Sequence, residues 1–238
     1  AVVQGSYLLT CPVDAAAAVR VSCFAFLIKN LVRQLGLQRL AGAALLQGSG
    51  MAFPRNAFKR AQWTTGSLVE DLDMGLDLLL EGTEIVFEPQ ARFSSRAGSI
   101  TATAGQRRRW EHGMLHTMRE YLPRLAASGV RRGQGSGRLL VVALDVLIPP
   151  TVLLIVLSST VMTAALVVLG LSLPVVVLSA ANLALAAGIA TAWWVHGRAI
   201  LPPHSIQQIP GYILWKLPIL AQFVTRRERQ WVRTERQP

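Results

Sequence analysis

Apolar residues follow two different rhythms along this chain, one on either side of residues 129–138. Before that boundary they recur at strand or helix spacing among polar residues. Residues 2–5 read as the end of a strand. Residues 14–37 carry Val19, Cys23, Phe26, Leu27 and Leu31 on one helical face. Residues 47–53, Gln-Gly-Ser-Gly-Met-Ala-Phe, read as a glycine-rich loop feeding a short strand. Ser67 and Glu70 have capping-box spacing, which predicts a helix running to Leu80 with Leu72, Leu76, Leu79 and Leu80 inward and Gly82 at its C-terminal end. Ile85, Val86 and Phe87 read as a strand closed by Pro89. Thr101 or Thr103 is expected to cap a further helix to about Leu125, with Trp110, Met114, Met118, Tyr121, Leu122 and Leu125 as its apolar stripe. The alternation of helix, strand, loop and helix predicts an α/β domain.

Beyond residue 138 the polar positions nearly vanish. Residues 146–169 form an uncharged run of 24 residues. At about 1.5 Å per residue it reaches about 36 Å, enough to cross a bilayer with some tilt. Residues 173–195 form a second such run, with Asn182 its one strongly polar residue and Trp193-Trp194 at its end. The pattern predicts a transmembrane hairpin. Its turn lacks Lys and Arg, while Arg131, Arg132 and Arg138 precede it and Arg198, Lys216, Arg226, Arg227 and Arg229 follow it. Both flanks are therefore expected on the cytoplasmic side. Asp145 reads as an interfacial acid near a helix start, and Pro149-Pro150 as a kink in the first turns. Residues 209–224 are apolar but broken by Pro210, Gly211 and Pro218, which favours an interfacial or re-entrant helix.

Composition sharpens this division. The chain is 52% hydrophobic and carries a formal charge of +11, clustered at residues 107–109, 131–138 and 226–236 beside apolar segments. That placement favours an anionic membrane surface, with one cluster facing a phosphate, over nucleic acid, for which no binding module is visible. Cys11 and Cys23 have no zinc or redox spacing and read as buried small residues. The chain opens at Ala1 in what reads as strand interior, so we expect a piece of a longer protein.

Candidate chemistry lies in the first part. Asp71 sits in the first turn of a predicted helix, where the dipole favours its ionised form, as a proton-accepting base requires. Glu70 beside it has a capping role as its simpler reading. Gln106, Arg109 and Trp110 are three and four apart and share one helical face.

Together these pieces resemble the membrane-integrated family 2 glycosyltransferases, the class of cellulose, hyaluronan and related polysaccharide synthases. Gly48-Ser49-Gly50-Met51-Ala52-Phe53-Pro54-Arg55 looks like the acceptor loop of that family, and Glu70-Asp71 like its Glu-Asp motif. Residues 75–82 and Phe87-Glu88-Pro89 match the usual sequel. Gln106-Arg107-Arg108-Arg109-Trp110 looks like its QxxRW motif, 35 residues after Asp71. The likeness extends to Trp231-Val232-Arg233-Thr234. It implies the C-terminal half of a GT-A type, Rossmann-like domain in residues 1–128, including an interfacial helix, then a basic linker at 129–138 and a membrane domain at 139–238.

The activity implied is inverting transfer from a nucleotide-diphosphate sugar, UDP-sugar first, to a growing polysaccharide or glycolipid. Asp71 would be the base and Glu70 its support. Arg109 would neutralise the leaving diphosphate, Trp110 would stack on the acceptor sugar, and Gln106 would bond substrate. Gly48, Ser49 and Gly50 would line the acceptor side. The family's Mg2+ or Mn2+ ligands have no match in this sequence and are expected in an N-terminal part. The implied setting is the bacterial inner membrane, multi-pass, with the catalytic part cytoplasmic, membrane lipids as partners and a homo-oligomer as a further expectation. Two other readings stay open: a non-catalytic membrane partner, or inactive fragment, lacking the donor half, and a small basic protein that binds anionic lipid.

Overall fold

The computed structural model describes residues 1–63, 66–98, 100–131 and 137–225, with the backbone alone at 100–107 and 219–225. The basic stretch 226–236, Trp231 included, and residues 132–136 of the linker at 129–138 lie outside the described residues.

The sheet has three strands in the order β2-β1-β3. Central β1 (Val2–Thr10) runs antiparallel to the short β2 (Met51–Ala52) and parallel to β3 (Ile85–Arg96). The parallel pairing jumps between Gly5, opposite Glu88, and Ser6, opposite Arg92. Pro89, Gln90 and Ala91 are the surplus residues of a bulge, one of the few places where a strand tolerates proline. So β3 does not close at Pro89, as its sequence predicts, but resumes and continues to Arg96. Likewise, β1 extends five residues past the expected Gly5.

Between β1 and β2 one long helical segment crosses: α1 (Ala17–Leu27), a π turn (Ile28–Val32) and α2 (Arg33–Ala41). It starts at Ala17, not at the expected residue 14. Short α3 (Arg55–Arg60) follows β2. Then comes α4 (Glu70–Leu80), whose first turn holds Glu70, Asp71 and Asp73 against the positive end of the helix dipole. Its N-cap is Val69, with no side-chain cap, so the capping box expected of Ser67 does not form. The Ser67 hydroxyl instead accepts the Val69 N–H at 3.2 Å. The predicted C-terminal glycine is present: at Gly82 φ is +86°, and the Gly82 and Thr83 N–H groups bond back to the carbonyls of Leu79 and Leu78.

Long α5 (Ile100–Arg131) passes through Pro123, beyond the expected end at Leu125. Met114, Tyr121 and Leu125 of its stripe are buried, and Trp110, Met118 and Leu122 pack beside them. They join the sheet, α2, α4 and α6 (Gly137–Leu147) in one apolar core. The prolines at 149 and 150 separate α6 from α7 (Thr151–Leu169) outright, where a kink within one helix was expected. Val146 is therefore the last buried residue of α6, not the first of a membrane segment. Asp145, expected near a helix start, lies at the end of α6 and pairs with Arg33 at 2.7 Å.

The helices α7 and α8 (Leu173–Ala192) leave nearly all their apolar surface uncovered: Val152, Val175 and Ala192 are their only buried residues. Thr151–Leu169 and Leu173–Gly197 are long and apolar enough to cross a membrane. They touch through the Ser158 hydroxyl and Asn182, 2.7 Å apart. A π turn (Trp193–Gly197) and a 3-10 turn (Pro203–Gln208) lead to α9 (Ile209–Thr225). Continuous through Pro218, α9 packs Tyr212 with Val21, Phe24, Leu27 and Val152 in a second core.

Candidate active site

The site assembles around the start of α4. Asp71 is the second residue of that helix, so its carboxylate accepts the N–H of Leu72 and its own N–H, which lower its pKa. Burial acts the other way and dominates, and the net effect holds the carboxyl above its ordinary range. The positive charge of Lys29 opposes that shift, and Glu70, itself exposed, adds to it. A raised pKa makes the carboxylate a stronger proton acceptor, which is what acid–base chemistry at a hydroxyl needs.

The glycine-rich loop closes directly on this carboxylate. A Cβ on Gly48 would lie 3.0 Å from Asp71 Oδ2, and Gly48 has a φ of +75°, which disfavours any side chain there. The loop is clamped from below by Gln4, which is fully buried. Its Oε1 accepts the Gln47 N–H at 2.9 Å, and its Nε2 donates to the Ser49 carbonyl at 2.8 Å. Gln47 in turn donates to the Asn30 carbonyl, and Asn30 to the Tyr7 carbonyl, each at 3.2 Å. Gly50, with φ +69°, makes room for Phe93: a Cβ there would stand 2.3 Å from the ring. Both positions favour glycine by their positive φ, and a side chain would crowd Asp71 at Gly48 and the Phe93 ring at Gly50.

The other predicted residues lie on α5. The side chain of Gln106 falls outside the described residues. Arg109 and Trp110 are half-buried, and the Trp110 ring sits 5.8 Å from that of Phe26, which meets Tyr7 edge-on at 5.5 Å. Next in sequence, Glu111 forms an ion pair with Lys216 of α9. Asp73, which shares an Asp-x-Asp spacing with Asp71, is turned to α5, where Thr117 donates to it at 2.6 Å. Among the described residues no cluster of three or more His, Cys, Asp or Glu gathers to hold a metal.

Sequence reasoning passed over Lys29, Glu111, Lys216 and Phe93. Lys29 carried a signal, as the one cation in the apolar helical stretch from Phe24 to Val32. Glu111 and Lys216 carried none, because they lie 105 residues apart.

A family model described as glycosyl transferase family group 2 matches residues 1–195. The match spans the sheet, the loop, the Asp71 helix and both long apolar helices, and ends before α9. No curated protein matches the chain.

Proposed function

The chain belongs to glycosyl transferase family group 2, and from that premise we propose that it performs inverting transfer of a sugar from a nucleotide-diphosphate donor, UDP-sugar first, to a growing polysaccharide or glycolipid. Asp71 takes the proton of the acceptor hydroxyl as its oxygen attacks the anomeric carbon. The bond from that carbon to the diphosphate oxygen breaks on the opposite face, and the diphosphate leaves with the electron pair. Glu70 supports the base. Arg109, a permanent cation, offsets the charge of the leaving group. The face of Trp110 that Phe26 leaves open stacks on the acceptor ring, Gln106 bonds substrate, and the Gly48-Ser49-Gly50 loop holds the acceptor against the base.

The observation that supports this reading above all is the contact between Gly48 and the Asp71 carboxylate. The glycine-rich loop and the acid at the start of α4 approach so closely there that a Cβ on Gly48 would crowd the carboxylate. Asp73 is bonded to Thr117 and Glu111 to Lys216, so this reading assigns neither of them as a ligand of the Mg2+ or Mn2+ that such a transfer would use. With α7 and α8 crossing the bacterial inner membrane and the site on the cytoplasmic side, the product would form where it can be passed to or through the bilayer.

The test uses membranes carrying the full natural chain, wild type beside Asp71→Asn at equal expression. Release of free nucleoside diphosphate is counted over a panel of UDP-sugars. Release with one sugar, lost in Asp71→Asn, is the expected result. Equal release from both proteins removes Asp71 as the base. No release from either moves the reading to a non-catalytic membrane partner.

A further inference from the structure

Two of the cations near Lys29 are paired with acids. Arg33 is held by Asp145, with Nε and Nη2 at 2.7 and 2.9 Å from its carboxylate oxygens. Lys216 is held by Glu111. Lys29 lies within the fields of Asp71, Arg33, Glu111 and Lys216. Yet among the described residues its ammonium makes no hydrogen bond or ion pair, and its surface is exposed although protein surrounds it. A ligand could therefore reach the ammonium without leaving the field of the surrounding charges.

Its placement follows from the π turn, a rare helical defect that often marks functional sites. The turn's neighbours are all engaged: Phe26 with Trp110, Asn30 with Tyr7 and Gln47, and Arg33 with Asp145. Lys29 shares this segment with the residues that anchor the Gly48 loop, and it alone is left without a protein partner among them.

We propose that the Lys29 ammonium binds a phosphate group of the substrate beside Asp71. This rests on the transfer reading above. With Arg33 and Lys216 paired, Asp71 is the foremost opposite charge acting on Lys29, ahead of Glu111. When Asp71 accepts the acceptor's proton it becomes neutral, and Lys29 loses its main counter-charge. In the same step the departing diphosphate gains negative charge. The cation is therefore freed as an anion forms, which stabilises the transition state more than the ground state. A phosphate carried by a lipid-linked acceptor would offer the same chemistry, but it would be bound before reaction.

The test compares the full-length enzyme with Lys29→Met and Lys29→Arg, reading turnover, both KM values and inhibition by free UDP. Both variants should stay folded, since among the described residues the ammonium makes no hydrogen bond or ion pair, and thermal melts check this. For a leaving-group contact, kcat in Lys29→Met falls about 10-fold or more, short of the 100-fold to 1000-fold of a water-excluded donor. UDP inhibition weakens by a similar factor, the acceptor KM holds, and Lys29→Arg recovers most of the loss. A rise in acceptor KM alone, seen only with a phosphate-bearing lipid acceptor, also supports the proposal and assigns the phosphate to the acceptor. Unchanged kcat, KM and inhibition in Lys29→Met overturn the proposal, while loss of turnover in Asp71→Asn would leave the transfer reading standing. If the wild type shows no turnover, equilibrium binding of UDP to wild type and Lys29→Met decides instead, with equal affinity overturning the proposal.

Discussion

Replacing Gly48 by alanine perturbs two things that can be separated. Its φ of +75° belongs to the left-handed region, where an L-residue costs about 1–2 kcal/mol. For a chain of this size that corresponds to a fall of about 2–8 °C in Tm. The second effect is local. The new Cβ would stand 3.0 Å from Asp71 Oδ2, closer than ordinary contact, so the carboxylate must give by a few tenths of an ångström. If displacing a reacting group by 1 Å costs about 100-fold, a shift of that size lowers kcat about 3-fold to 10-fold. Gly82→Ala supplies the control. Its φ is +86°, but nothing lies within 4 Å of its added Cβ. It should lose similar stability and keep its kcat. The assay is nucleoside diphosphate release at saturating donor and acceptor, beside thermal melts of the detergent-solubilised proteins. If Gly48→Ala and Gly82→Ala lose stability equally and turn over alike, the contact between loop and base does not position Asp71.

Two further predictions concern buried acids. Because burial raises the Asp71 pKa and the base must be ionised, kcat/KM should fall in acid through a midpoint above the ordinary carboxyl value, and Lys29→Met, which removes a charge that lowers it, should move that limb to higher pH. Thr117→Val removes a donor from the Asp73 carboxylate and should cost about 1–3 kcal/mol near neutral pH by chemical denaturation. Burial raises the Asp73 pKa, so its contribution to stability is present at low pH and lost as pH rises through that value. The deficit of Thr117→Val should therefore shrink in acid, and a deficit that grows in acid would refute the assignment.

Local chemistry made parts of the candidate site's geometry legible, while the roles assigned to its residues came from the family resemblance. Glycines flanking a serine, an acid pair at a helix start and a glycine at the helix end each act over a few residues, and the structure brings Gly48 against Asp71 and puts Gly82 in its C-terminal role. What escaped depended on distant partners. The continuation of β3 past Pro89 required a bulge set by β1, which no reading of residues 85–89 alone supplies. The Ser67 cap failed because the helix begins at Glu70, and Ser67 was left to serve Val69 and the buried Asp73. Val146 looked like the start of an apolar run, but Pro149-Pro150 assign it to the core helix α6. Asp145 could be understood only with Arg33, 112 residues earlier.

The ion pair between Glu111 and Lys216 also settles a question of counting. Residue 111 precedes both long apolar helices and residue 216 follows them, yet the two side chains touch. Every passage the intervening chain makes through a bilayer must therefore be answered by a return, so the number of crossings between them is even. A fusion that forces a single crossing would leave Glu111, largely enclosed by protein, without its counterion. The enzyme would then register the topological error at its own centre, before any product is made.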